Sequence, residues 1–238
     1  MSARSSRSKA TLPDEVIDLV PFDPDDPVQV ETLTQQRVLC GWQIDMVDTW
    51  REQARRNVKG LYWIMPADTE LARTRLRFPL PEREELNMSA AGSQAGSGLG
   101  PPAPHQHFRP LGHASLDWED YERDASLADR ENGVITIATF YILNSQQGLG
   151  LGNVVMKALE RKAIQQGARQ VTLNTLCSRA AASLAGSDSP LPPDTRLNES
   201  WYERLGYEAY KREPRYKDQD KFGRPIKLTA VFMRKPLA

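Results

Sequence analysis

The sequence predicts a mixed α/β fold, and three features predict it. Residues 133–176 read as strand, glycine-rich turn, amphipathic helix and strand with short connections, which implies a right-handed parallel unit. A helical stretch at 28–58 stands between two short runs of strand formers, 16–20 and 61–65. Two further strand-like runs, 207–212 and 226–235, close the chain as an antiparallel hairpin with a long polar loop.

Composition narrows the function classes. The 238 residues carry 31 basic and 31 acidic side chains, so no global field steers the chain to nucleic acid or membrane. A hydrophobic content of 39% is enough for one sizeable core with flexible ends. No apolar run approaches the roughly 18–20 residues of a membrane span. The start, MSARSSRSKATLP, has no apolar segment behind it and is not expected to act as a secretory signal. Cys40 and Cys177 are far apart and imply no disulfide framework. The expectation is a cytoplasmic protein, with a nuclear location left open and its thiols reduced. It consists of a disordered tail at 1–13 and a single domain over 14–238, as monomer or homodimer.

Each element has a local reason. The segment FDPDDP, after the first strand, is a turn that can also cap a helix. Within 28–58, Val30, Leu33, Val38 and Leu39 make one apolar stripe, and Ile44, Val47, Trp50 and Ala54 a second. Gly41 lies between them, so two helices with a break are expected. SAAGSQAGSGLGPPAP, within 82–107, buries too little apolar surface to order itself and reads as a flexible insertion. His105 and His107 at its end lack further ligands nearby, so they read as solvated loop residues and no metal is expected. Residues 111–118 alternate loosely as a strand, and 119–132 form a polar connection. The run GVITIATFYIL at 133–143 is the strongest strand, nearly continuous in β-branched and aromatic residues, as for a strand covered on both faces. The helix after the turn puts Leu151, Val154, Val155, Ala158 and Leu159 on one face and ends near Gly167. A strand follows at 169–176. Residues 177–194 hold a helical turn and a proline-rich loop, and 198–205 a short helix ending at Gly206.

The turn at 146–152 carries the chemistry. Gly148, Gly150 and Gly152 let backbone N–H groups approach a ligand without a Cβ in the way. The helix that follows adds the positive end of its dipole, and together they suit a pyrophosphate. Taken alone, the turn also fits a tight structural corner. A triphosphate P-loop needs Lys-Ser or Lys-Thr after the glycines, and none is present. A dinucleotide site needs an acid about 20 residues on, yet no Asp or Glu stands between Glu160 and Asp188.

What remains, Gln147-Gly148-Leu149-Gly150-Leu151-Gly152, resembles the Q/R-x-x-G-x-G/A signature of the GNAT superfamily of acyl-CoA-dependent N-acyltransferases. The later Trp201-Tyr202-Glu203-Arg204-Leu205-Gly206-Tyr207 is similar to that family's Y-x-x-x-G-F/Y segment. The order of elements over about 14–236 matches as well. The resemblance implies a mixed, mostly antiparallel central sheet whose parallel strand pair splays apart, flanked by helices. It implies acetyl-CoA as donor and an amine of a small molecule or peptide as acceptor, joined by direct attack. Pantetheine contacts then fall to the backbone of Tyr141, Ile142 and Leu143, and the pyrophosphate to Gln147, Gly148, Leu149, Gly150, Leu151 and Gly152. The amide near Ile142 or Leu143 becomes the oxyanion donor and Tyr202 the general acid. From 194 onward eleven basic and seven acidic residues stand, a local excess suited to the 3′-phosphate.

The sequence departs from the family in two ways. The Asn often found seven residues before the tyrosine is here Thr195, with Asn198 only four before, so Asn198 is the remaining candidate for a pantetheine contact. The strand at 133–143 holds no carboxylate, so the base falls to a water chain, or to Asp117 or Glu119 at the end of the preceding strand. Cys177 reads as a structural thiol. Tyr62, Trp63, Trp118 and Tyr216 are candidates for lining an acceptor pocket. The competing class is a catalytically silent acyl-CoA-binding regulatory module, motivated by the missing strand carboxylate.

Overall fold

The structure is a computed structural model and describes residues 12–76, 108–177, 197–219 and 224–237. The expected insertion at 82–107, His105, His107 and the segment 178–194 lie outside the described residues. The elements run β1 (Ile17–Pro21), α1 (Pro27–Cys40), α2 (Val47–Arg55), β2 (Lys59–Pro66), α3 (Glu70–Arg75), β3 (Gly112–Asp117), β4 (Val134–Ile142), α4 (Leu151–Gln165), β5 (Gln170–Leu176), α5 (Glu199–Arg204), β6 (Glu208–Gln219) and β7 (Pro225–Pro236). The seven strands form one mixed sheet in the order β1-β2-β3-β4-β5-β7-β6, mostly antiparallel, with β4 and β5 parallel and helices flanking it. The expected sheet is therefore present.

Contacts divide the chain into two compact units. The first holds residues 12–55, 61–76, 108–114 and 140–159 among those described. Its core packs Phe22, Leu33, Val47, Trp50, Leu61 and Trp63. Helix α1 starts where expected, with the Asp26 carboxylate accepting the Val28 N–H at 2.9 Å and Pro27 in the first turn. It stops at Gly41, whose φ of 76° is the left-handed cap a glycine adopts without a Cβ penalty. The apolar stripe is only half used. Leu33 is buried, but Val38 and Leu39 are exposed and Gln36 and Arg37 are buried in their place. Both have partners from β3 or just before it: Gln36 reaches Pro110 O and His113 Nδ1, and Arg37 lies 3.3 Å from His113 Nε2. Buried polar groups that find partners outcompete a weak stripe. Close backbone approach also constrains this unit. A Cβ on Gly112 would lie 2.1 Å from the Tyr141 carbonyl oxygen, so no larger residue fits without backbone movement.

The second unit holds residues 56–60, 115–139, 160–177, 197–219 and 224–237 among those described. Its backbone is the β5-β7-β6 ladder. The polar stretch from 213 to 219, read from sequence as loop, is strand: β6 pairs β7 from Glu208↔Arg234 to Gln219↔Pro225, with irregularities between Ala209 and Lys211 and between Pro214 and Tyr216. The charged residues of β6 follow no strand period, of its apolar ones only Tyr210 and Tyr216 pack against the Phe232 cluster, and β7 supplies the pairing that propensity does not. Helix α3 has no apolar periodicity and was not foreseen; Thr69 caps it by accepting the Ala72 N–H.

Candidate active site

In the first unit, β4 ends at Ile142 and the glycine turn follows. The Leu143 N–H donates to Leu111 O at 2.9 Å. N–H groups alternate sides along an antiparallel strand, so the Ile142 N–H points away from β3. Of the two amides expected as oxyanion donors, Leu143's is committed to the strand before it and Ile142's is the one turned outward. The Ile142 carbonyl accepts the Gln147 side-chain N–H at 2.7 Å, and Gln147 also donates to Asn144 Oδ1 at 3.0 Å. The Gln147 side chain thus pins the turn to the strand end. Tyr141 is buried, its ring 5.7 Å from His113.

The turn itself is built as the glycine spacing requires. Gly148 and Gly150 sit at φ 81° and 85°, and a Cβ on either would meet nothing within 4 Å. Their need for glycine is conformational, and the space in front of them is open. Helix α4 begins at Leu151, so the amides of Leu151 and Gly152 lie in a first turn that offers no intrahelical acceptor. Just before the turn, the buried Ser145 hydroxyl has no hydrogen-bond partner among the described residues. Open left-handed glycines ahead of a 15-residue helix fit a diphosphate.

In the second unit, β4 and β5 pair as Val134↔Gln170, Ile135↔Val171 and Thr136↔Thr172, and the pairing stops there. Residues 137–139 and 173–176 continue as strands without pairing to each other, although β5 stays bonded to β7 as far as Leu176↔Ala230. The strands have parted, as the resemblance implied. Beside that point Thr139 has φ 50°, an outlier for a β-branched residue. Its hydroxyl bonds the Ser115 hydroxyl at 3.0 Å. Ser115 Oγ also accepts from Lys59 Nζ at 3.0 Å, and Lys59 Nζ donates to Asp117 Oδ2 at 2.6 Å. Lys59, Ser115 and Asp117 are all buried, and Asp117 Oδ1 has no partner among the described residues. Burial pushes the Asp117 carboxyl up from the ordinary carboxylate range, while Lys59 and then Ser115 pull it back; burial is the larger effect.

The other expected site residues separate clearly. Glu119 is exposed and faces Arg56 at 3.4 Å, a solvated surface pair. Tyr202, on α5, is buried with its ring against Trp201 at 4.7 Å and Tyr207 at 5.9 Å, and burial alone pushes its phenol well up. The Tyr216 phenol, pushed up by burial and then by Tyr202, donates to Asn174 Oδ1 at 2.7 Å on the part of β5 that has left β4. Asn198 is exposed at the start of α5, its carbonyl accepting the Trp201 and Tyr202 amides. Cys177 is a buried free thiol beyond β5, and Arg212, whose guanidinium is held charged by Glu199 and to a lesser degree by Cys177, pairs with Glu199 at 2.7 Å. Tyr62 and Trp63 are core residues, and Trp118 stacks under Arg130. Sequence reasoning missed Lys59, Ser115 and Thr139. A signal existed for Ser115: in His113-Ala-Ser115-Leu-Asp117 the polar residues alternate onto one face of β3.

Comparison with known proteins agrees with this geometry. Residues 105–185 match the family model described as the Acetyltransferase (GNAT) family. An aminoglycoside 6′-N-acetyltransferase solved with coenzyme A is 13% identical with TM-score 0.50, the alignment covering 93% of this chain and 97% of that one. The aminoglycoside 6′-N-acetyltransferase of Enterococcus faecium is 12% identical with TM-score 0.51, over 93% and 97%. The spermidine/spermine N-acetyltransferase of Vibrio cholerae, solved with manganese ions, is 9% identical with TM-score 0.52, over 94% and 94%. No curated protein matches the chain. The structural likenesses establish the fold, and the family model places the GNAT signature on the segment that carries β4, the glycine turn, α4 and β5. Residues 105–185 are thus similar to the GNAT family, and the described residues share the fold of solved GNAT acetyltransferases. No helix among the described residues is long and apolar enough to cross a membrane.

Proposed function

We propose that the chain is an acetyl-CoA-dependent N-acetyltransferase acting on an amine of a small molecule or peptide. The observation that carries this reading is the parting of β4 from β5 after Thr136↔Thr172, with the open glycine turn following β4. A parted strand pair leaves backbone groups that need partners, and an extended amide-bearing arm supplies them. The outward amides of 147–152 would hold the donor's pyrophosphate, and the Ile142 N–H would face the oxygen that gains charge in the transition state. Bound acetyl-CoA would supply an activated acetyl thioester.

Asp117 is the base in this reading. A carboxyl raised by burial above the ordinary carboxylate range is a stronger base than a fully solvated one. The neutral amine then attacks, the C–N bond forms and the C–S bond breaks. Of the two protons nitrogen loses, one leaves through Asp117 to solvent and the other ends on sulfur. Tyr202, held protonated by burial, is the donor to sulfur. Two of the structural neighbours are named for polycationic amines, aminoglycoside and spermidine, so such amines lead the acceptor panel.

The absence of a carboxylate on β4 keeps one second reading, a silent acyl-CoA-binding module. Thiol release from acetyl-CoA is measured against spermidine, an aminoglycoside and a peptide α-amine, with calorimetric binding of CoA, NAD and ATP alongside. Release with one amine supports the enzyme. CoA binding without any release supports the silent module, and no CoA binding overturns both.

A further inference from the structure

Buried Lys59 is not explained by the fold. Buried ion pairs rarely add net stability over apolar residues of the same volume. This pair is also incomplete, because Asp117 Oδ1 is buried with no partner among the described residues. An unmet buried acceptor costs about 1–3 kcal/mol, more for a charged one. A structural pair would be expected to close that oxygen with a neighbouring amide. Instead the bonds from Lys59 and Thr139 gather at Ser115 and Oδ2, and Ser115 also helps to hold the carboxylate ionised. Lys59 from β2 holds Oδ2, Ser115 from β3 accepts from Lys59, and Thr139 from β4 reaches Ser115 from a left-handed conformation. Strain of this kind persists where the surroundings over-determine it, and here it sits where β4 has left β5.

We propose that Lys59 is a positioning residue which, with Ser115, fixes Asp117 by one carboxylate oxygen and leaves the buried Oδ1 without a hydrogen bond, as the oxygen that takes up the proton. The proposal rests on the reading of Asp117 as base. Lys59 fixes the carboxylate's orientation and keeps it ionised against the burial that would neutralise it. The charged groups that act on Asp117 are Lys59 on β2 and Asp120 in the connection after β3, and they oppose each other. Ser115 donates or accepts without charge and holds the lysine in place. Removing Lys59 leaves burial and Asp120 acting together, so the carboxyl moves further up and the base is protonated across more of the pH range.

Lys59→Met, Ser115→Ala and Asp117→Asn are compared with the unaltered chain. The rate of thiol release is followed from about pH 5 to about pH 9 with the best amine of the panel. CoA affinity and thermal melting are measured on each variant. Lys59→Met is expected to bind CoA normally and to move the acid limb of the rate upward by at least about one unit, a loss of about tenfold on the limb. Its rate recovers at the alkaline end. Ser115→Ala is expected to move the limb the same way by less. An equal loss at every pH with the limb in place makes Lys59 a structural residue and overturns the proposal. In that outcome the base reading survives provided Asp117→Asn is inactive. Wild-type rates in Asp117→Asn, or no turnover of any amine, overturn the base reading and the proposal with it. Should Lys59→Met fail to fold, Ser115→Ala decides: a raised limb supports the proposal and an unmoved one overturns it.

Discussion

The glycine turn and the Lys59–Asp117 cluster are made by opposite means. The turn is backbone: Gly148 and Gly150 take positive φ, and the groups it offers are amides that every residue carries. The cluster is side chain: four residues from three strands, 80 positions apart from Lys59 to Thr139, hold one another, three of them buried and Thr139 half-buried. A backbone device needs only a short local spacing of glycines. A side-chain device needs the sheet to exist first. The first is set by its glycines, while in the second each side chain leans on the others.

The largest effect should come from the cluster. Asp117→Asn is expected to lower kcat by about 10²–10⁴ while leaving CoA affinity within about twofold, the range of a lost general base. Steady-state rates and calorimetry check both halves. Next is the turn. Gly150→Glu is expected to weaken CoA by at least about 100-fold, since it sets a negative charge where the pyrophosphate is proposed to lie and forces a side chain into a left-handed conformation costing about 1–2 kcal/mol. No neighbouring protein atom is struck there, so affinity should fall far more than stability. Comparing calorimetric affinity with urea midpoints tests that difference.

A smaller effect, purely on stability, is expected at Gly112. Its Cβ would overlap the Tyr141 carbonyl, so Gly112→Ala should cost about 1–3 kcal/mol in denaturant unfolding. Smallest is Glu119→Gln. Exposed and paired only with Arg56, Glu119 should change stability by no more than about 0.5 kcal/mol and leave kcat unchanged. A large loss of kcat there would move the base from the buried acid to the exposed one and dissolve the contrast.

The same contrast explains what the sequence revealed. The strand of 133–143, the turn and helix α4 are local patterns, and they were legible to within a residue or two. The choice between Ile142 and Leu143 was not, because it depends on which N–H finds Leu111 across the sheet. Neither was the division between Asp117 and Glu119, two acids two positions apart. One falls on the inward face of β3 beside Lys59, and the other lies past the strand end in solvent. The burial of Gln36 and Arg37 in place of Val38 and Leu39 has the same origin: His113 had to be in place before a polar face of α1 could be the inner one. The 213–219 segment was misread because its strand character comes from β7 alone.

The edge of the sheet at β6 has a consequence for how copies of this protein meet in concentrated solution. An edge strand of 12 residues is long enough to template another chain. This one presents Glu208, Lys211, Arg212, Glu213 and Lys217, interrupts its own hydrogen-bond row at Pro214, and breaks register twice. Edge-to-edge growth of the sheet from that side is therefore closed off, and the charge that makes the segment look like a loop protects the protein from stacking into fibres.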